Sequence, residues 1–293
     1  MSQTSQRAAV NDIEIAYGTF GDPANPAILL IMGLGTQMIA WPEEFCQDLV
    51  ERGLFVIRFD NRDVGESTHL NDAGIPDVRD LLVKSRPVPY SIDDMADDAT
   101  GLLDVLGIAS AHIVGASLGG FIAQTIALRS PKRVRSMTLI MTSTGSLRVG
   151  RAKPKVLSRM LRRRVVENKE AAMDLTVDTF RLIGSPGYPF DEEHIRSMAA
   201  RSFERGYNPP GYLRQLAAAA HQPNRTKALG VVRVPTLVMH GLADPLIAVS
   251  GGLALARAIP GAKFVGFSGM GHDLPRALWP AFVAEIAEIA VTV

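Results

Sequence analysis

One cysteine, Cys46, occurs in the 293 residues of the chain. A single thiol cannot close an intrachain disulfide, and it rules out any zinc site built on paired cysteines. Charge of one sign is equally scarce: 31 Lys and Arg stand against 30 Asp and Glu, a net charge of +1. No overall field favours nucleic acid as a partner. Long apolar runs are missing too. Ala27–Met32 and the stretch from Ala281 are too short, or carry Glu285 and Glu288, to form the roughly 20-residue span a bilayer requires. The opening residues MSQTSQRAAVND lack the apolar core of a secretory signal, so a cytoplasmic protein without an integral membrane segment is the expectation.

What is present is a rhythm. Short apolar runs at Ala27–Met32, Leu54–Phe59, Ala111–Val114, Met137–Met141, Thr236–Met239 and Lys263–Phe267 alternate with helical patterns. The helical stretches are Pro42–Arg52, Ile92–Leu106, Leu118–Arg129, Val249–Ala258 and Ala281–Ala290. The runs lack strict polar alternation, which suits strands covered on both faces. Ile13–Phe20 reads as an additional antiparallel strand at the sheet edge. The order predicts an α/β fold with a mostly parallel, doubly wound sheet. Between about Ser146 and Thr226 helical patterns follow one another without a strand, broken by Ser185-Pro186-Gly187 and Asn208-Pro209-Pro210-Gly211. Residues 1–145 and 227–293 therefore form the expected core, and 146–226 a helical cap, or lid.

Gly115-Ala116-Ser117-Leu118-Gly119 fits G-x-S-x-G between a strand and a helix, the context in which a serine is held on a sharp turn as a nucleophile. Small neighbours let strand and helix approach, and the helix N-terminus favours developing negative charge. A serine hydroxyl needs a base. Of six histidines, His272 in Gly269-Met270-Gly271-His272-Asp273 follows the last strand, and loops beyond parallel strand ends open on one edge. His112 lies inside a strand; His194 and His221 belong to the insertion. His240 competes from another strand end and is read as bonding locally. Asp244, four residues on, is the orienting acid for His272, in preference to the adjacent Asp273.

At this point the sequence resembles the α/β-hydrolase-fold serine hydrolases. Asp60-Asn61-Arg62-Asp63-Val64-Gly65-Glu66-Ser67 is similar to that family's D-x-R-G-x-G-x-S loop, with Asp63 in place of glycine. Phe20-Gly21-Asp22-Pro23, Ile31-Met32-Gly33, Trp41-Pro42-Glu43-Glu44-Phe45 and Ile57-Arg58-Phe59-Asp60 are similar to the aclacinomycin methylesterase group. The resemblance implies an oxyanion hole formed by the backbone N–H groups of Leu118 and Leu34. It also implies ester hydrolysis with no metal and no cofactor.

Met32, Met38, Trp41, Met141, Met160 and Met270 lie in or near the loops expected around Ser117. Each is a core residue or part of an adaptable apolar pocket, and the expected partner is a hydrophobic small-molecule ester. The insertion opens with nine basic residues from Arg148 to Lys169 against one acid, Glu167. That block is a solvated outer face, or one that attracts an anionic substrate or touches a membrane peripherally. The same triad also serves lipases, phospholipases and thioesterases. A non-catalytic ligand-binding protein on this fold is the reading of a different class.

Overall fold

The computed structural model describes residues 5–77, 86–161 and 166–291, with the side chains of residues 160 and 161 excepted. Eight strands form one sheet: β1 (Gln6–Val10), β2 (Ile13–Phe20), β3 (Ala27–Ile31), β4 (Phe55–Phe59), β5 (Ala111–Ala116), β6 (Val134–Ile140), β7 (Thr236–Gly241) and β8 (Lys263–Phe267). Their order is β1-β2-β4-β3-β5-β6-β7-β8. β1/β2 and β2/β4 are antiparallel and every other pair is parallel. The edge strands are therefore β1 and β8, and Ile13–Phe20, expected at the edge, sits one place in from β1. Val10 pairs with Ile13 across the two-residue turn Asn11-Asp12, with Asn11 at φ +51°, a backbone region asparagine tolerates.

Every residue of β3, β4, β5 and β7 is buried, because the parallel strands carry helices on both faces. Alternate side chains of β3 divide between two cores. Leu29 and Ile31 join Ile57, Leu102, Ile122 and Val238. Ile28 and Leu30 join Phe45, Val114, Met239 and Phe282. Helices α2 (Ile92–Val105), α3 (Leu118–Arg129) and α8 (Ser250–Ala258) cover the first face. Helices α1 (Glu43–Val50) and α9 (Trp279–Val291) cover the second. A capping box opens α2: Ser91 N–H donates to the Asp94 carboxylate and Asp94 N–H to the Ser91 hydroxyl, which satisfies two donors left free at the helix start.

Between β6 and β7 the described residues hold helices and no strand: α4 (Pro154–Leu161), α5 (Lys169–Ile183), α6 (Glu192–Gly206) and α7 (Pro209–His221). Asn168, Asp191 and Asn208 cap the last three through side-chain acceptors. Two carboxylates of the loop after β4 anchor this helical segment. Asp60, fully buried, takes Arg205 of α6 at 2.8 Å, and Arg205 also meets Glu66 at 2.9 Å. Asp63 takes Arg214 of α7 in a two-pronged pair at 2.6 and 2.8 Å, with both side chains 0% exposed.

Asp63 stands at φ +69°, the left-handed region that favours glycine, and aspartate tolerates it better than most residues. The departure from the glycine pattern thus places a carboxylate where Arg214 can use it. Burial works to raise the Asp63 pKa, but the Arg214 hydrogen bonds and the Leu70 N–H outweigh it and hold the carboxyl below its ordinary value. The pair's contribution is therefore present above about pH 4, the unfolded carboxylate range, and is lost as pH falls through the lower folded-state value. Asp63→Ala leaves Arg214 charged, buried and unpaired. Stability should fall by roughly 3–5 kcal/mol, read as a lower urea midpoint with an unchanged slope.

Candidate active site

Strands β3, β5, β6, β7 and β8 end along one edge of the sheet, and the loops beyond them bring the chemistry together. Ser117 follows β5 directly, at φ +54° and ψ −114°, a conformation that costs a non-glycine residue energy. Neighbours hold it there. Its N–H donates to Ile140 O at 2.9 Å, and its carbonyl accepts from the Thr142 hydroxyl at 2.8 Å. Two residues on, a Cβ at Gly119 would lie 2.2 Å from Ile31 O, so α3 reaches β3 only because that position has no side chain.

His272 Nε2 lies 3.1 Å from Ser117 Oγ, and His272 Nδ1 lies 2.7 Å from Asp244 Oδ2. The carboxylate fixes the tautomer: Nδ1–H donates to Asp244, leaving the Nε2 lone pair toward the hydroxyl. Asp244 is itself held, because its Oδ1 accepts from the Leu246 and Ile247 N–H groups at 2.8 Å each. Asp244 and His272 are 5% and 8% exposed, whereas Ser117 is half-buried at the cavity.

The other histidines fall elsewhere. His240 is fully buried, its Nε2 donating to Ile247 O at 2.8 Å and standing 3.7 Å from Asp244 Oδ2. Burial lowers its pKa and keeps the ring neutral. His112 pairs with the Ser136 hydroxyl at 2.8 Å inside the sheet, and burial pushes its pKa down to about 4. His194 lines the outer part of the cavity.

Leu34 and Leu118 both line the cavity beside Ser117. Among the described residues neither backbone N–H has an acceptor, which leaves both donors free. A Cβ at Gly33 would lie 3.1 Å from Ser117 Cβ, so the loop after β3 runs directly over the serine. Gln215 of α7, 0% exposed, braces that loop. Its Oε1 accepts Gly35 N–H and its Nε2 donates to Arg62 O, each at 2.8 Å.

The cavity measures about 690 Å³, within the range of small-molecule sites. Of the six residues suggested from the sequence, Met32 and Met141 line it. Met38, Trp41 and Met270 do not: they are at most 3% exposed and packed in the interior. The side chain of Met160 lies outside the described residues. Phe121 and Trp279 come from the core helices, and Phe180, Leu182, Tyr188 and Tyr212 from the helical segment. No sequence motif marks these last four, whose selection depends on where α5, the α5–α6 connection and α7 land. In the basic block, Arg159 lines the cavity and pairs with Asp178 at 3.3 Å, and Lys169 pairs with Glu204. Arg148, Arg151, Lys153 and Lys155 are exposed, and Arg162, Arg163 and Arg164 lie outside the described residues.

Residues 26–275 match the alpha/beta hydrolase fold family. The chain belongs to that family. Among curated hydrolases of this fold, rhodomycin D methylesterase of Streptomyces peucetius is 31% identical over 289 residues, 91% of each chain. That similarity agrees with the resemblance to the aclacinomycin methylesterase group. 3-Oxoadipate enol-lactonase 2 of Acinetobacter baylyi is 27% identical over 249 residues, 85% of this chain and 82% of the lactonase. The crystal structure of the enol-lactonase from Burkholderia xenovorans superposes with a TM-score of 0.73 at 25% identity, covering 98% of this hydrolase and all of the lactonase. Among the described residues no helix of this hydrolase is long and apolar enough to cross a membrane.

Proposed function

We propose that this protein hydrolyses a carboxylic ester of a bulky apolar small molecule through an acyl-enzyme on Ser117. The observation that carries the reading is the hydrogen-bonded chain Asp244–His272–Ser117 opening into a large cavity with mostly apolar walls. In the first step Ser117 Oγ attacks the ester carbonyl and its proton passes to His272 Nε2. Asp244 stabilises the resulting imidazolium. The oxyanion is met by the Leu34 and Leu118 N–H groups, and one such donor contributes about 3–4 kcal/mol to the transition state. His272 then protonates the departing alcohol. Water enters and attacks the acyl carbon, its proton passing to the same nitrogen. As the bond to Ser117 Oγ breaks, His272 returns that proton to Oγ and the acid is released.

The relatives at about 30% identity are methylesterases. They favour a small leaving alcohol, with the acyl portion filling the cavity. Helices α4–α7 act as a lid over it, since Val156 of α4, Phe180 and Leu182 of α5, Met198 of α6 and Tyr212 and Leu216 of α7 are among the residues that form its wall. Apolar walls reward a substrate of matching size at roughly 25 cal/mol per Å² removed from water.

A fluorophosphonate probe should label Ser117, and methyl esters of polycyclic acids should be cleaved with higher kcat/KM than p-nitrophenyl acetate. Preference for long-chain acyl thioesters or phospholipids over every polycyclic ester in the same panel would replace this substrate class with a thioesterase or phospholipase. Absence of label and of turnover would leave a ligand-binding protein.

A further inference from the structure

His272 stands in the loop between β8 and α9, outside any regular element, yet its ring must keep a 3.1 Å approach to Ser117. On one side the core holds this loop. Ala243 N–H donates to Met270 O at 2.9 Å, and Asp244 takes the ring. On the other side the support comes from the connection between α5 and α6. Ile183 O accepts His272 N–H at 2.7 Å. Gly187 N–H donates to Gly269 O at 2.9 Å, and the Tyr188 hydroxyl to Ser268 O at 3.2 Å. The two backbones are in direct contact: a Cβ at Gly271 would lie 2.2 Å from Gly184 O.

Ser185 occupies the centre of this joint. Its Oγ accepts Gly271 N–H at 2.9 Å and donates to Asp273 Oδ1. It therefore ties down the residues immediately before and after His272 with one hydroxyl. Asp273 gains its role from the same contact. Burial pushes its carboxyl above the ordinary value, the Ser185 hydrogen bond draws it back, and the hydrogen bond to His272 Nδ1 belongs to Asp244. Because Ser185 uses its hydroxyl within the protein, its place in the cavity wall does not make it a ligand for substrate.

We propose that Ser185 is a positioning residue for His272, so that the helical segment supplies part of the hydrolytic apparatus as well as part of the cavity wall. The proposal rests on the hydrolase reading above. Its energetic basis is that Ser185 is the side chain that bonds both neighbours of His272, Gly271 N–H and the Asp273 carboxylate, whereas the other restraints act on the His272 amide and ring or on residues 268–270. A misplacement of about 1 Å at a reacting group costs on the order of 100-fold in rate, and loss of Ser185 frees both flanks of the base at once.

The test compares wild type, Ser185→Ala and Ser185→Thr with two probes. One is a small dialkyl fluorophosphate, whose reaction with Ser117 needs His272 but does not fill the cavity. The other is the best polycyclic methyl ester. Ser185→Ala should react with the small probe about 10- to 100-fold more slowly and lose kcat by a similar factor, with KM little changed. Ser185→Thr keeps the hydroxyl, and its methyl can point into the cavity, so most of the rate should return. Titration of reactive Ser117 sites by exhaustive labelling corrects for any misfolded fraction.

Wild-type reactivity toward the small probe in Ser185→Ala would overturn the positioning role while leaving the hydrolase intact. A rise in KM with kcat unchanged would also overturn it, since that is the behaviour of a wall residue. A wild-type protein inert to the probe would overturn the hydrolase reading itself.

Discussion

Ser117→Ala is expected to lower ester turnover about a millionfold, with the fold unchanged. The size follows from the dependence of the other groups on that oxygen. His272 has no proton to take once Oγ is gone, and Asp244 then orients a base with nothing to activate. Nucleophile and base fail together, so losing either one costs nearly as much as losing all three members, on the order of 10⁶ in kcat, whereas loss of the orienting acid costs less. The oxyanion donors and the cavity remain, which should leave substrate affinity close to wild type. Stopped-turnover assays at high enzyme concentration measure the residue of activity, and circular dichroism checks the fold. Retained turnover above about one part in a thousand would remove Ser117 from the mechanism. Ser117 also carries an unfavourable φ of +54°, so alanine at this position inherits the strain.

Asp244→Asn should reduce kcat about 10⁴-fold, and the hydrogen bonds around the carboxylate explain why. Asp244 Oδ1 is fixed by two N–H donors at 2.8 Å. The amide oxygen of asparagine must take that place, since an NH₂ group there would face two other donors. The NH₂ group then points at His272 Nδ1, 2.7 Å away in the parent. It offers a proton where the ring already carries one. The ring can accept this contact only by moving its own proton to Nε2, which turns the base away from Ser117 electronically without moving it. Asp273→Asn provides the contrast, because asparagine still offers an acceptor to Ser185. If its loss matched that of Asp244→Asn, the orienting acid would be Asp273.

The part of this design that was open to reading from sequence is the part with local signals. Five of the strands, β3 to β7, declare themselves as apolar runs because a sheet covered on both faces requires near-continuous burial. Lys263–Phe267, read in the same way, is β8 at the sheet's other edge and only partly buried. The elbow at Ser117 and the loops at Asp244 and His272 are likewise set by short-range spacing. β1 carries only a mixed pattern, and the local signal for it is the Asn11-Asp12 turn between its end and β2. The helical segment is legible only as helices. Gln215, Arg214, Arg205 and Ser185 look like ordinary polar residues, and their importance comes from partners 86 to 180 positions away. The same applies to the pocket. Met38, Trp41 and Met270 lie close to the site in sequence and face the interior, whereas Phe180 and Tyr212 are remote and line the cavity.

The joint between the α5–α6 connection and the histidine loop also bears on the modularity of this enzyme fold. Swapping residues 146–226 for the matching stretch of a relative is the obvious way to transplant specificity. Here such a graft would carry one half of an interlocked seam: Gly184, Ser185 and Gly187 would leave, while Gly269, Gly271 and Asp273 stayed behind. A donor with a side chain at the third of those positions would press on the Gly269 backbone of the loop that carries His272, since a Cβ there lies 2.6 Å from Gly269 Cα, and one at the first would crowd Phe180 O and the Asp273 carboxylate. The transferable unit is thus discontinuous, residues 146–226 together with 268–273, and recombination at these seams has to be paired to be productive.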